Sequence, residues 1–116
     1  MPAQGRIVMA EVLDPQGENP KIRPVVIVTP DDEIKPGSPF VGVAVTGTLP
    51  KRLTSEYVPL PYHPDGRART QLDKKNAAKC DWLVVLSHEQ IVDYKGWVPQ
   101  DAMVAITNYL AAHEDY

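Results

Sequence analysis

The sequence predicts a mainly β domain, in which five to seven short strands form a small, strongly bent sheet or barrel and a helix closes the chain. Two observations support this. Twelve prolines fall between short, β-rich apolar runs, and proline is excluded from helix interiors and central strands. Only one segment, near the C-terminus, carries its apolar residues at helical spacing.

The predicted strands differ in how their apolar residues repeat. Phe40 to Val45 has valine at every second position, which is typical of a half-buried strand. The Trp-Leu-Val-Val-Leu run after Asp81 is apolar throughout, which predicts a strand covered on both faces. Gly96 interrupts the last strand and predicts a turn or bulge there. The strands are predicted over residues 6–13, 25–28, 40–45, 57–60, 81–86 and 91–98.

The predicted helix begins at Pro99. Proline is tolerated in the first turn because its missing N–H has no partner there, and Asp101 favours the positive end of the helix dipole. Residues at spacings of three and four then predict an amphipathic helix that packs against the sheet: Met103, Ile106, Leu110 and His113.

Composition limits the function. A chain of 116 residues suits one domain, which we expect to span residues 1–116. The net charge of −3 argues against nucleic-acid binding by bulk attraction, although the cations cluster locally. Cys80 is the lone cysteine, which excludes an internal disulfide. With no signal-peptide core and no apolar run that could span a bilayer, we expect the cytoplasm.

Several familiar sites are absent from the sequence. There is no phosphate-binding glycine-rich loop, no Cys/His pair at metal-ligand spacing and no serine in a nucleophile elbow. We therefore expect neither a metal nor a cofactor. The remaining chemistry is that of Arg, Lys, Thr, Asp and His side chains, or of a binding protein.

The most specific stretch runs from Asp14 to Val28. Asp14-Pro-Gln-Gly17 predicts a turn, and Pro24 biases Arg23 toward an extended conformation at the start of the next strand. Together with the preceding Gly5-Arg-Ile-Val, this block resembles the first half of the MazF/PemK toxins of type II toxin–antitoxin systems. In that family the Arg of the Arg-Pro step is catalytic, and Arg23 matches it. The alternative from the residues alone is that Arg23 caps a loop.

Two further blocks extend the resemblance. The family's third strand ends in a Thr or Ser beside the catalytic Arg, which matches Thr46, with Thr48 as the neighbouring alternative. Lys79-Cys-Asp81-Trp is similar to the PemK branch, where the basic residue and the Asp act in cleavage. By themselves, Thr46 is equally explained by a hydrogen bond to its own backbone, and Asp81 by an ion pair with Lys79 or Arg23. We interpret Cys80 as a packing residue.

The resemblance implies an SH3-like barrel and a metal-independent endoribonuclease. It would cut single-stranded mRNA by attack of the 2′-OH, leave a 2′,3′-cyclic phosphate and a 5′-OH, and so inhibit translation and growth. The implied partners are a second copy of the chain and an acidic, partly disordered antitoxin. We assign Asp81 as the base, Arg23 as phosphate clamp and possible acid, and Thr46 and Lys79 as oxyanion donors; His63 is an alternative base.

The expected RNA contacts lie mostly in the basic loops, with Tyr57 or Tyr62 available for base stacking. These contacts are Lys21, Thr48, Tyr62, His63, Arg67, Arg69 and Lys74. The sequence departs from the family where Lys79 replaces an Arg and where residues 62–69 follow no family pattern. Two rival functions stay open: a CcdB-like toxin that binds DNA gyrase, and a non-catalytic SH3-like binding module.

Overall fold

The computed structural model describes residues 2–113, which form six antiparallel strands in one sheet followed by a single long helix. The strands are β1 (Arg6–Val12), β2 (Lys21–Ile27), β3 (Phe40–Thr46), β4 (Tyr57–Pro59), β5 (Ala77–Leu86) and β6 (Ile91–Trp97). The helix, α1, spans Gln100–Ala112. Asp31–Glu33 and His88–Gln90 form short 3-10 turns. The mainly β prediction with a C-terminal helix is confirmed.

The sheet has the order β4-β5-β3-β2-β1-β6, so the last strand pairs with the first. The segment after β4 approaches the end of β6, because the N–H groups of Gly96 and Trp97 donate to the carbonyls of Thr70 and Arg69 at 3.0 Å each. A Cβ on Gly96 would lie 1.8 Å from the Arg69 carbonyl oxygen, so only glycine permits this approach. The irregularity predicted at Gly96 is present as a register shift between β1 and β6.

Each face of the sheet has its own apolar cluster. The face covered by α1, here called the helix face, contains Ile7, Val26, Val43, Val45, Ala78 and Cys80 together with Ala102 and Ile106 of the helix. The opposite face, here called the open face, contains Val8, Ala10, Val25, Ile27, Ala44 and Trp82. The alternation of side chains along β1, β2 and β3 therefore decides which residues avoid the helix.

Strand β2 begins earlier than predicted, at Lys21, and Pro24 lies inside it opposite Met9 of β1. The pairing of β2 with β3 starts only at Val25. Residues 21–24 therefore pair with a neighbouring strand on one side only. A proline lacks the N–H donor, and on the unpaired side this costs no ladder hydrogen bond.

Strand β5 also begins earlier than predicted, at Ala77, and the expected coverage of its apolar run on both faces is wrong. Leu83 and Val85 are 50% and 68% exposed, whereas Trp82 and Leu86 are buried. Helix α1 contacts β4 and β5 but does not reach this part of the helix face. A large bulge separates the two halves of β5: Val45 pairs with Ala78 but Val43 pairs with Leu83, so β5 contains three more residues than β3 between these two pairs.

Helix α1 follows Pro99, which is the residue before the first turn. Ala102 and Ile106 are buried, and Met103, Tyr109 and Leu110 pack against the helix-face cluster. The placement of His113 on the apolar stripe is wrong, since it is exposed and its ring stacks on Tyr109 with centroids 3.9 Å apart. No helix within residues 2–113 has the length and apolar character needed to cross a membrane.

Candidate active site

Arg23 and Thr46 lie near the adjoining ends of two neighbouring strands, β2 and β3. The β2–β3 ladder ends where Val25 pairs with Ala44, and Arg23 and Thr46 each lie two residues beyond that pair. Val25 and Ala44 belong to the open face, so the side chains two residues further along share that face. The sheet thus brings together the two residues that were predicted to contact the phosphate.

Trp82 supports the Arg23 side chain. The Arg23 Cζ atom lies 4.9 Å from the centroid of the buried Trp82 ring, within the range of a cation–π contact. Trp82 belongs to β5, and its side chain turns to the open face after the bulge, whereas Cys80 before it points to the helix face. We did not predict this role from the sequence, although the Trp of the Cys-Asp-Trp block was the available signal.

Asp14 organises the loop that leads to Arg23. Its Oδ1 accepts hydrogen bonds from the N–H groups of Gln16 (3.1 Å) and Glu18 (2.8 Å), and its Oδ2 accepts one from Asn19 Nδ2 at 2.8 Å. The hydrogen bond from Glu18 lowers the pKa of Asp14 most, and the charge of Arg23 acts in the same direction. The predicted turn is present, with Gly17 at φ +81°. Sequence reasoning found the turn but missed the carboxylate that holds it.

Lys79 and Asp81 form an ion pair, with 2.9 Å between Lys79 Nζ and Asp81 Oδ1. This hydrogen bond raises the pKa of Lys79, because it favours the charged ammonium over the neutral amine. Lys79 Nζ also lies 5.7 Å from the centroid of the Tyr57 ring, which belongs to the paired residue of β4. The exposed Asp81 carboxylate keeps its second oxygen available, so the ion pair can also present an acceptor to a ligand.

The Thr46 hydroxyl holds the turn after β3. Thr46 Oγ1 accepts a hydrogen bond from the N–H of Thr48 at 3.1 Å, and Thr46 is only 6% exposed. The local explanation for Thr46 therefore holds in this structure. Thr48 lies beyond the strand end and is exposed, so it is not the next residue on the same strand face.

The candidate residues form two groups on neighbouring strands. Ala77 of β5 pairs with Thr46, and Lys79 follows two residues later on the same side of the strand. Two strand spacings separate β2 from β5, which is roughly 10 Å. Long Arg and Lys side chains can reach across such a gap from both sides. The arrangement is therefore able to hold an anionic group between Arg23 and the Lys79–Asp81 pair.

The other predicted RNA contacts do not all lie near Arg23. Lys21 is exposed at the start of β2, and Lys74 is exposed before β5. Arg67 and Arg69 instead lie beside β6, since the Arg69 carbonyl accepts from Trp97, whose partner on β1 is Arg6. The partner of Arg23 on β1 is Ala10, which lies four residues along the strand from Arg6.

The loop that holds Tyr62 and His63 is fixed by one carboxylate. Asp65 pairs with Arg67 at 2.6 Å and contacts His63 at 2.5 Å. Tyr62 is exposed. His63 is therefore engaged within its own loop in this structure, and no contact joins it to Arg23 or Asp81 among the described residues.

Cys80 is buried on the helix face, as its interpretation as a packing residue requires. Burial raises the pKa of its thiol to about 11, so the thiolate is scarce at neutral pH. Within the described part of the chain, no three His, Cys, Asp or Glu side chains are grouped as a metal site would need.

Residues 3–113 match the family of PemK-like, MazF-like toxins of type II toxin–antitoxin systems. The chain belongs to this family. The match covers every strand and the helix of this PemK-like toxin, including the blocks around Arg23 and Lys79–Asp81. No curated protein sequence is significantly similar to it.

Solved structures share the fold at low sequence identity. An endoribonuclease in complex with its cognate antitoxin, from a mycobacterial species, is 20% identical with a TM-score of 0.71, covering 97% of this chain and 93% of that one. MazE–MazF from Deinococcus radiodurans is 17% identical with a TM-score of 0.72, covering 96% and 93%. The Mycobacterium tuberculosis toxin MazF-mt6 is 18% identical with a TM-score of 0.69, covering 95% and 96%.

Proposed function

We propose that this PemK-like toxin is an endoribonuclease that cuts single-stranded mRNA and thereby stops translation and growth in the cytoplasm. One observation supports the proposal: Arg23, Thr46 and the Lys79–Asp81 ion pair lie toward the same end of three neighbouring strands, β2, β3 and β5. A cation, a hydroxyl and a carboxylate on one face are the groups that phosphoryl transfer to an RNA hydroxyl uses. Structural relatives described as endoribonucleases give independent support.

The proposed reaction uses the nucleophile that RNA itself supplies. The 2′-oxygen attacks the adjacent phosphorus, the bond from phosphorus to the 5′-oxygen breaks, and a 2′,3′-cyclic phosphate and a 5′-OH remain. Asp81 takes the proton of the 2′-OH, while Arg23 binds the phosphate and supplies a proton to the leaving 5′-oxygen. Lys79 and the Thr46 hydroxyl donate hydrogen bonds to the non-bridging oxygens. None of these steps requires a metal or a protein nucleophile.

Each assignment has a local basis. Arg23 is held over Trp82 and needs little reordering to meet a phosphate. The hydrogen bond that raises the pKa of Lys79 favours its charged form, and the ion pair orients Asp81. The Thr46 hydroxyl accepts the N–H of Thr48 and contacts the Thr48 carbonyl only at 3.5 Å, so its proton can turn to a phosphate oxygen.

The proposal includes a homodimer, supported by apolar surface beside the open face. A cleft of about 510 Å³ lies between the β1–β2 loop and the second half of β5. Leu13, Leu83 and Val85 around it are exposed. Exposed apolar patches of this kind are typical of subunit contacts. A monomer at micromolar concentration in multi-angle light scattering would exclude the homodimer.

The proposal also includes an antitoxin that neutralises the enzyme. MazE–MazF and the mycobacterial endoribonuclease are toxins solved with an antitoxin. Because this chain carries a net charge of −3, an acidic antitoxin would need a local cationic surface. Replacing Arg67 and Arg69 together by Glu should weaken its binding more than reversing the charges of Asp31–Glu33. Equal affinities of the two variants would exclude this docking surface.

The decisive experiment is RNA cleavage in the presence of chelator. We expect the wild-type chain to cut a long single-stranded RNA in EDTA and to leave 5′-OH ends. A substrate with one 2′-deoxy nucleotide at the mapped cut should be inert. Cutting of the deoxy substrate, or loss of activity in EDTA, would exclude the mechanism. Growth arrest without RNA cleavage, but with inhibited DNA gyrase, would favour the CcdB-like alternative.

A further inference from the structure

A second group of cationic and aromatic side chains lies on the open face, away from Arg23. The Arg6 Cζ atom is 5.1 Å from the ring centroids of both Tyr94 and Trp97. Arg6 Nε donates a hydrogen bond to the Lys95 carbonyl at 2.8 Å, which fixes the guanidinium between the two rings. The ion pairs found among residues 2–113 involve other side chains, so no carboxylate neutralises Arg6 there.

The Trp97 ring is available to a ligand. It is 39% exposed at the end of β6, which is the edge strand of the sheet. The Tyr94 ring, in contrast, packs against the open-face cluster. The exposed part of Trp97 can stack on a planar ligand, while the contact with Arg6 holds the ring in place.

The backbone of a second arginine, Arg69, lies beside Trp97. Arg69 is exposed, and its carbonyl accepts the Trp97 N–H at 3.0 Å. This approach depends on Gly96, where a Cβ would overlap the Arg69 carbonyl. Arg67, two residues earlier, is paired with Asp65, whereas no such pair involves Arg69 among the described residues. Trp97 therefore contacts the Arg6 guanidinium through its ring and the Arg69 residue through its backbone, and neither arginine is paired with a carboxylate among the described residues.

A partly exposed ring beside arginine side chains matches the chemistry of single-stranded nucleic acid. Each base has a π-face that stacks on an aromatic ring, and the neighbouring phosphates pair with Arg. An acidic peptide would use the cations but would leave the ring without a specific partner. The geometry therefore favours RNA over a protein as the ligand.

We propose that Trp97, Arg6 and Arg69 form a second RNA subsite, where a base some nucleotides away from the cleaved bond stacks on the indole. This inference rests on the proposed endoribonuclease function. Arg6 shares the open face with Arg23, whose β1 partner Ala10 lies four residues along the strand, or roughly 13 Å. A few nucleotides of extended RNA span that distance. The subsite thus favours longer substrates without contacting the reacting atoms.

The test compares long and short RNA substrates that share one mapped cut. For wild-type protein, the KM of the long oligonucleotide should be lower than that of one trimmed to the nucleotides around the cut. Trp97→Ala should raise the long-substrate KM about tenfold, as expected for loss of one base–aromatic stack. It should leave kcat, and the KM of the short substrate, unchanged. Trp97→Phe keeps an aromatic ring, so it should retain most of the wild-type preference for the long substrate.

Val92→Ala is the matched control, since Val92 is an exposed apolar residue on the same strand. Unchanged kcat on the short substrate shows that each variant is folded. If the KM values of Trp97→Ala for the long and short substrates equal those of the wild type, the subsite is excluded while the endoribonuclease function stands. If it weakens an antitoxin peptide but not the long RNA, the surface binds protein and our proposal is wrong. Absence of any cleavage by the wild type would instead exclude the proposed function.

Discussion

The two faces of the sheet bury similar numbers of apolar side chains in different ways. The helix face is covered by α1 and contains no charged residue in its buried cluster. No long helix among residues 2–113 covers the open face, and its cluster is bordered by Arg6, which contacts Tyr94, and by Arg23, which contacts Trp82. Polar side chains on the open face can be solvated while their strands remain paired in the sheet. The comparison indicates that one face mainly stabilises the fold, whereas the other presents the candidate site.

Replacing Arg23 tests this division most strongly. Arg23→Ala should lower RNA cleavage by about a hundredfold or more, as expected when a charge clamp is removed from the transition state. The loss of the contact with Trp82 should cost only about 1 kcal/mol of stability. Cleavage assays and thermal unfolding measure the two effects. Arg23→Lys is the control that keeps the charge but loses the two-pronged contact; an active Ala variant would reduce Arg23 to a structural role.

Asp81 tests whether the ion pair with Lys79 is part of the chemistry. Asp81→Asn should lower cleavage by about a hundredfold if the carboxylate is the general base. Its effect on stability should stay below about 1 kcal/mol, because the pair is exposed. Lys79→Ala, made in parallel, separates the carboxylate from its partner. Full activity of Asp81→Asn would mean that Asp81 is not the base, whereas equal losses in both single variants and in the double variant would show that the pair acts as a unit.

Ile106 tests the helix face. It is fully buried between α1 and the sheet, so Ile106→Ala should lower the free energy of unfolding by about 2–3 kcal/mol. Cleavage measured well below the unfolding temperature should be unchanged. Val104→Ala on the exposed side of the same helix is the control and should change stability by less than about 0.5 kcal/mol. A large loss of kcat in folded Ile106→Ala would show that the two faces are coupled.

Cys80 should give the smallest effect. Burial raises the pKa of its thiol from 9.0 to about 11, so at pH 8 the thiolate is about a hundredfold scarcer than in an exposed thiol. We expect slow alkylation by iodoacetamide in the native protein and fast alkylation in denaturant. Cys80→Ala should leave cleavage unchanged. Rapid native labelling accompanied by loss of activity would place Cys80 in the site.

Local patterns predicted most of the elements. The proline spacing separated the strands, and the three-and-four spacing located α1, because both signals depend on neighbouring residues. The coverage of β5 was not predictable in this way. Leu83 and Val85 are apolar, but whether another element covers them depends on where α1 ends in space. Similarly, His113 follows the helical spacing but falls beyond the last turn that contacts the sheet.

The candidate site was predicted in its residue types more than in its geometry. Arg23, Thr46 and Lys79–Asp81 were identified from motifs, and pairing between strands places them on one face. Trp82 reaches Arg23 only because β5 bulges, which requires knowledge of the β3–β5 register. Arg67 and Arg69 lie by β6 because Gly96 admits their backbone, a contact between distant segments that no local pattern shows.

The pairing of the first strand with the last has a consequence for how the protein is made. Arg6 pairs with Trp97, so β1 lacks one neighbour until almost the whole described chain has left the ribosome. Contacts between such distant residues also make folding slow, typically milliseconds to seconds for sheets of this kind. Strands β2, β3 and β5, which carry Arg23, Thr46 and Asp81, are complete by Leu86. The nascent chain therefore contains all its catalytic candidates before it has the strand and helix that hold them in place, and its activity should appear only after release.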